Sequence, residues 1–179
     1  MKLYIARHGQ TPWNAMNKVC GLTDLELTDK GIEQAYELTK LVSEKKIDII
    51  ITSPLKRAIQ TGEIVSKVCK IPTVIDERII EQNYGVYEGV DRKDKNYLAA
   101  KKHFAYKYPN GESMMQVAYR VYGFIDDVKQ KYAGKNVLVI CHGGVCRVLN
   151  TYFNDVTNDE FFHYSIENAQ LAEYDLTQF

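Results

Sequence analysis

Two arginines, two histidines and a glutamate follow short apolar runs in this sequence, where predicted strands end. Arg7 and His8 follow the first run, and His142 follows another near residue 140. Arg57 comes shortly after a third run, and Glu81 after a weaker one. Two guanidinium groups, with the backbone amides that begin a helix, can bind a phosphate. These residue types therefore predict a phosphate-binding site with ionisable groups beside it.

The strands that would carry these residues are short and mainly apolar. Three runs are predicted as buried strands: Leu3–Ala6, Ile47–Ile51 and Val137–Cys141. Weaker strand candidates are Val74–Ile75, Ile79–Ile80 and Leu171–Tyr174. The carboxyl ends of parallel strands share one edge of a sheet, and ligands bind beyond that edge. We therefore expect the five residues to meet there.

Helical patterns separate the strands. Thr28 is predicted to cap a helix to about Lys45, and Ser113 one to about Tyr132. Ser53-Pro54 is predicted to open a helix to about Cys69, and Gly143-Gly144 one to about Tyr152. The alternation predicts an α/β fold with a mostly parallel sheet and helices on both faces. We expect a single domain over residues 1–179, with a lid or insertion at about 83–112.

The composition restricts the class of protein. The chain has 179 residues, with 23 Lys and Arg against 23 Asp and Glu, so its net charge is zero. This balance argues against nucleic acid and anionic membranes as partners, and no apolar run approaches a membrane span. The N-terminus lacks a signal-peptide pattern, and four cysteines form no CxxC pair. We expect a cytoplasmic protein with reduced thiols, no metal site and no cofactor.

Charge is unevenly distributed along the chain. Residues 91–107 contain six basic residues against two acidic ones. Such a run is commonly a solvated face, but it can also overhang a site for an anionic substrate. Both interpretations stay open from the sequence.

Five blocks of sequence resemble, in order, those of the histidine phosphatase (phosphoglycerate mutase-like) superfamily, and the match runs nearly the whole chain. They are RHGQTPWN at Arg7–Asn14, GLTDLELTxxGxxQA at Gly21–Ala35, SPLKRAxQT at Ser53–Thr61, ExxxGxxEG at Glu81–Gly89 and HGGVxR at His142–Arg147. The resemblance implies a phosphoglycerate mutase-like sandwich and an enzyme that acts on a small phosphorylated metabolite.

The resemblance also implies a role for each site residue. His8 would be the nucleophile, Glu81 the proton donor and acceptor, and Arg7, Arg57 and His142 would hold the phosphoryl oxygens. Because the arginines supply positive charge, no metal would be required. The further residues expected to bind substrate are Gln10, Thr11, Asn14, Cys20, Gly21 and Gly143.

Three other functions fit parts of the sequence. Cys141 and Arg147 form the C-x5-R pattern of cysteine-dependent phosphatases, although Val148 follows where those enzymes usually carry Ser or Thr. A cofactor-dependent phosphoglycerate mutase would use the same site residues as a phosphatase. The PNGES block at 109–113 is similar to one common in the phosphatase branch, which favours hydrolysis. A non-catalytic phospholigand binder would need neither His8 nor Glu81.

Overall fold

Five strands form one sheet in the order β3-β2-β4-β1-β5 in the computed structural model, which describes residues 1–178. The strands are β1 (Lys2–Arg7), β2 (Ile49–Thr52), β3 (Thr73–Ile75), β4 (Val137–Cys141) and β5 (Leu171–Asp175). β1 and β2 both pair in parallel with β4, and β3 pairs in parallel with β2. β5 pairs antiparallel with β1 at one edge. The prediction of a mostly parallel sheet is confirmed.

In the part of the chain that the structure describes, seven helices connect and cover the strands. They are α1 (Pro12–Ala15), α2 (Asp29–Ser43), α3 (Lys56–Cys69), α4 (Lys95–Lys101), α5 (Met114–Lys131), α6 (Gly143–Phe153) and α7 (Asn158–His163). Short 3-10 turns occupy Glu77–Ile79, Gly85–Tyr87 and Leu176–Gln178. The helices after Thr28, Ser113 and Gly143 begin where the sequence predicts them.

Alternate residues of the central strands face two separate hydrophobic cores. Ile5 and Val139 point to a core shared with α5 and α6, whereas Ala6 and Ile140 point to one shared with α2 and α3. Each fully buried Ile or Val contributes roughly 1.5–3 kcal/mol to the free energy of unfolding. The predicted arrangement of helices on both faces is confirmed, with three layers.

Two predicted elements differ from the structure. Ile79 and Ile80 do not form a strand: Ile79 ends a 3-10 turn and is fully buried against the α5 side of the sheet. A pair of apolar residues cannot distinguish a strand from a buried turn. The third helix begins at Lys56 with Leu55 as its N-cap, so Ser53-Pro54 precedes it. Ser53 is instead buried beside His142.

The segment predicted as a lid contains an aromatic cluster of its own. Tyr84, Tyr97 and Tyr108 are buried with Val19 and Ala100. Tyr84 packs against each of the other two rings with centroids 6.0 Å apart. The tyrosines fix this segment, including the unpredicted helix α4, against the loop after α1.

No helix within residues 1–178 combines the length and apolar character needed to cross a membrane.

Candidate active site

The two histidines lie next to each other because β1 and β4 are parallel neighbours. His8 directly follows β1, His142 directly follows β4, and the backbone N–H of His8 donates to the carbonyl of Cys141 at 3.0 Å. The ring centroids are 5.1 Å apart. Both side chains are almost fully buried. The sheet therefore brings together two residues that are 134 positions apart in the sequence.

Arg57 lies between the two histidines and is fully buried. Its Nε donates at 3.2 Å both to Nε2 of His8 and to Nδ1 of His142. Its Nη1 and Nη2 donate to the carbonyls of Thr23 and Gly21, at 2.9 and 2.7 Å. These four contacts fix the guanidinium group from the first turn of α3.

The hydrogen bonds of each histidine define its tautomer. A carbonyl oxygen only accepts, so the 2.6 Å contact from Nδ1 of His8 to the carbonyl of Gly9 places the proton on Nδ1. Nε2 of His8 then carries a lone pair. In His142, Nδ1 accepts from Arg57, so Nε2 carries the proton and donates to Oγ of Ser53 at 2.6 Å.

Burial keeps both imidazoles neutral. Desolvation, with Arg57 and Arg7 nearby, holds the pKa of His8 well below its ordinary value. Desolvation and then Arg57 lower the pKa of His142 in the same way. A neutral imidazole, which keeps a lone pair on one ring nitrogen, is the nucleophilic form.

Arg7, the last residue of β1, has a buried N–H donor next to the histidines that no described residue accepts from. Its Nη1 donates to the carbonyl of Ile166 at 3.1 Å. Its buried Nε has no hydrogen-bond partner among residues 1–178. A Cβ at Gly143 would lie 3.8 Å from that nitrogen, so the start of α6 is close by. An unpaired buried N–H of a cation is costly unless an anion occupies the site.

Glu81 reaches the pocket from the other side. The residue follows the 3-10 turn after β3 and is 5% exposed. One carboxylate oxygen accepts from the backbone N–H of Gln82 at 2.9 Å, and the other from that of Gly144 at 3.0 Å. Gly144 is required for this approach, because a Cβ there would lie 2.5 Å from Glu81 Oε1. The structure thus brings Glu81 to the start of α6.

The active-site pocket, as we name it, is a small cavity of about 120 Å³. Of the residues expected from the sequence, it is lined by Arg7, His8, Asn14, Cys20, Glu81 and Gly143. Arg57 and His142 lie behind this lining, where Arg57 donates both to His8 and to His142. A volume below the usual 300–1,000 Å³ of drug-sized sites suits a small metabolite.

Three other residues expected to bind substrate support the site without lining it. Gln10 joins its loop to α2, since its carbonyl accepts from the N–H of Thr28 and its N–H donates to Gln34. Thr11 is fully buried and caps α1 in a reciprocal pair with Asn14. Gly21 supplies a carbonyl to Arg57. The sequence blocks therefore include residues that position others.

Nine further residues line the pocket, and five of them are tyrosines or cations: Tyr84, Tyr97, Arg92, Lys101 and Arg147. Arg92 and Lys101 belong to the basic run 91–107, so this part of the run overhangs the site. The remaining lysines of the run, such as Lys102 and Lys107, are exposed. The sequence carried the charge signal but did not show which basic residues face the pocket.

Glu88 has a different position from Glu81. Its carboxylate accepts from the backbone N–H groups of Gly21 and Leu22 and from the hydroxyl of Thr23. It therefore holds the loop whose carbonyls bind Arg57.

Cys141 does not fit the role of a nucleophile. It is fully buried in the hydrophobic core, with its Sγ 3.5 Å from Sγ of Cys146. Burial raises the pKa of the Cys141 thiol well above its ordinary value. A reactive cysteine needs a lowered pKa and access to substrate. The C-x5-R interpretation is therefore wrong in its geometry.

A protein metal site needs several ligand side chains in one cluster. Within residues 1–178, no group of three or more His, Cys, Asp and Glu side chains is arranged to hold a metal ion.

The structure thus brings two buried histidines, two buried arginines and a carboxyl group together beyond the ends of β1 and β4, an arrangement that fits phosphoryl transfer. The family model described as histidine phosphatase superfamily (branch 1) matches residues 3–178. The chain belongs to this superfamily and is a histidine phosphatase enzyme.

Curated relatives include both phosphatases and mutases. The chain is 32% identical over 173 residues to the uncharacterized phosphatase PhoE of Bacillus subtilis, with 94% of this chain and 88% of that protein covered. It is 30% identical over 179 residues to the putative phosphoserine phosphatase 2 of Hydrogenobacter thermophilus, with coverage of 96% and 88%. It is 33% identical over 150 residues to the probable phosphoglycerate mutase GpmB of Yersinia pestis, with coverage of 80% and 70%.

Solved structures share the fold along nearly the whole chain. The α-ribazole phosphatase of Shigella flexneri superposes with a TM-score of 0.86 at 27% identity, covering 99% of this chain and 92% of that chain. YhfR of Bacillus stearothermophilus superposes with a TM-score of 0.85 at 29% identity, with coverage of 96% and 89%.

Proposed function

We propose that this enzyme hydrolyses small phosphomonoesters, without a metal ion, through a phosphohistidine on His8. The observation that carries the proposal is the tautomer of His8. The bond from Nδ1 to the Gly9 carbonyl leaves the lone pair on Nε2, beside the guanidinium of Arg57. When substrate binds, the N–H of Arg57 turns from Nε2 to a phosphoryl oxygen, and Nε2 then attacks phosphorus, which forms the P–N bond and breaks the ester P–O bond.

The protein's own cations balance the charge of this step. A phosphomonoester carries close to two negative charges at neutral pH. Arg7 has an unused N–H at the pocket, and Arg57 lies at Nε2 of His8. Two preorganised guanidinium groups can stabilise the equatorial oxygens in the transition state. This charge supply supports a reaction that needs no metal.

Glu81 is proposed to move the protons. Its carboxyl group protonates the leaving ester oxygen in the first step, and its carboxylate then accepts a proton from the attacking water. The water oxygen bonds to phosphorus, and the P–N bond breaks to release inorganic phosphate. Because Nδ1 of His8 keeps its proton, the intermediate is a phosphoimidazolium. Its leaving group is the neutral imidazole of His8, which departs readily from phosphorus.

His142 has two consecutive roles in this scheme. In the structure described here, its Nδ1 accepts from Arg57 and thereby positions the guanidinium. A phosphate dianion next to the ring favours the protonated form of His142. Once the Arg57 N–H has turned from Nδ1 to a phosphoryl oxygen, Nδ1 takes up a proton from solvent, and the new Nδ1–H donates to a phosphoryl oxygen.

The test is a panel of phosphomonoesters assayed in EDTA, with trapping of ³²P-labelled enzyme. We expect phosphate release and a protein label that is acid-labile and alkali-stable. His8→Ala should abolish turnover and label, whereas Cys141→Ser should keep most activity because Cys141 lies outside the pocket. An active His8→Ala variant would refute the assignment of the nucleophile, and activity lost to EDTA would refute the metal-independent reaction.

A mutase is the second candidate, because a relative at 33% identity is named a probable phosphoglycerate mutase. The same panel separates the two reactions. Conversion of 3-phosphoglycerate to 2-phosphoglycerate faster than release of inorganic phosphate would favour the mutase.

A further inference from the structure

Three cations line the active-site pocket in addition to Arg7. Arg92 lies beyond the β-bridge between Lys18 and Asp91, Lys101 ends α4, and Arg147 lies on α6. We call these three residues the basic wall. Arg92 and Lys101 belong to the basic run 91–107, whereas Arg147 belongs to α6, so the fold brings together cations from two distant parts of the chain.

Carboxylates of the protein do not neutralise the basic wall. Within residues 1–178, no Asp or Glu forms an ion pair with Arg92, Lys101 or Arg147. Glu81 is the one carboxylate among the described lining residues, and two backbone N–H groups already bind it. The arginines instead donate to carbonyls: Arg92 to Lys18, and Arg147 to Tyr164.

Lys101 shows that these charges repel one another. The residue is partly buried, and no hydrogen bond of its ammonium group to residues 1–178 is formed. Burial, followed by the nearby Arg147 and Arg92, lowers the pKa of Lys101 to about 8. An anion placed among the three side chains would remove this repulsion.

Neutralising the charge of one phosphoryl group does not require the basic wall. Arg7 and Arg57 already match the two negative charges of a phosphomonoester. The basic wall adds three further positive charges beside a cavity of about 120 Å³. This excess of positive charge would bind a second anionic group. In so small a cavity, this second group must be on the same short carbon skeleton as the phosphate.

We infer that the basic wall binds a second anionic group of the substrate, so that the enzyme prefers small phosphomonoesters that also carry a carboxylate or a second phosphoryl group. The inference rests on the proposed phosphatase function and adds the substrate class to it. Lys101 is the specificity residue that the observations favour most, because it alone of the three ends in an ammonium group without a protein partner.

The experiment compares two substrates that differ in one group. 3-Phosphoglycerate carries a carboxylate where glycerol 3-phosphate carries a hydroxymethyl group. Lys101→Met removes the charge and keeps the length of the side chain. We expect it to lower kcat/KM for 3-phosphoglycerate roughly 10- to 100-fold, mainly through KM, as for loss of a charge-assisted hydrogen bond. For glycerol 3-phosphate the change should stay within about threefold.

Lys102→Met is the matched control. Lys102 is the next residue, it is exposed, and its loss changes the net charge by the same amount. It should leave the ratio of the two kcat/KM values unchanged. A 1,3-propanediol bisphosphate arm, which offers a second phosphoryl group and no carboxylate, separates the two groups as the preferred anion. An equal loss for 3-phosphoglycerate and glycerol 3-phosphate in Lys101→Met would overturn the inference.

A binding measurement separates this inference from the proposed function. 3-Phosphonopropionate and ethylphosphonate cannot be hydrolysed, and one of them carries a carboxylate. By calorimetry, 3-phosphonopropionate should bind the wild-type enzyme more tightly, and Lys101→Met should remove the difference. If no ester is hydrolysed but this difference is found, the phosphatase proposal fails and the second anion site stands. Equal binding of both phosphonates would refute the site.

Discussion

Replacing Glu81 by Gln tests the proposed acid most directly. Both carboxylate oxygens accept a backbone N–H, from Gln82 and from Gly144. A Gln amide has one acceptor, so its NH₂ group must face one of those N–H groups. These two N–H donors cannot bond to each other, and the lost hydrogen bond costs about 1–3 kcal/mol of stability. Glu81→Gln therefore perturbs the site as well as removing the proton.

The leaving group distinguishes these two effects. An alkoxide needs a proton in the transition state, whereas p-nitrophenolate leaves without one. For an alkyl phosphate we expect Glu81→Gln to slow phosphorylation of His8 by roughly 10²–10⁴-fold, or about 2.7–5.4 kcal/mol in activation free energy. The distortion at Gln82 and Gly144 applies to both substrates, so it cancels in their ratio.

The assay is single-turnover rapid quench, which follows phosphorylation without the later attack by water. The rate ratio of p-nitrophenyl phosphate to alkyl phosphate should rise by nearly the full factor in Glu81→Gln. Glu88→Gln is the control: it weakens the loop that holds Arg57, so it should slow both substrates alike. Equal slowing in Glu81→Gln, or a selective loss in Glu88→Gln, would refute the role of Glu81.

Two further predictions concern stability and support of the site. Below about pH 6.5 a histidine in the unfolded chain binds a proton, whereas His8 and His142 stay neutral in the folded protein. The free energy of unfolding should therefore fall as the pH decreases from about 6.5 toward their lowered pKa values. His8→Asn should reduce this slope by up to about 1.4 kcal/mol per pH unit in urea unfolding, and an unchanged slope would contradict the neutral state. Arg120 forms a two-bond ion pair with Glu112 and donates to the carbonyl of Glu81. Arg120→Met should cost about 1–3 kcal/mol in thermal unfolding and lower kcat, and full activity would show that Glu81 is positioned without it.

The central strands and the phosphate end of the site could be predicted from the sequence. Val137–Cys141 is a continuous apolar run of strand length, and its bounds match the structure. Arg7, His8 and His142 sit at the ends of such runs, so parallel pairing alone places them together. The strands are buried, and a continuous apolar run in the sequence is a direct sign of such burial.

The wall of the pocket could not be predicted to the same extent. Tyr84 and Tyr97 form a small core whose spacing follows neither a helix nor a strand, so the sequence indicated a surface insertion. Arg147 belongs to the matching block at His142–Arg147, but only the packing of α6 shows that it faces the pocket. Gln10 and Thr11 belong to a matching block, but only the three-dimensional structure shows that their hydrogen bonds hold α2 and α1, respectively.

The sharing of one guanidinium nitrogen by both histidines limits how this enzyme can be redesigned. Any substitution at Arg57 changes the basicity of His8 and the orientation of His142 at once, so the reaction chemistry cannot be tuned in small independent steps. Arg92 and Lys101 lie on a segment outside the sheet, whose changes leave that hydrogen-bonded centre intact. Directed evolution toward new esters should therefore accumulate accepted substitutions in the segment and almost none around Arg57.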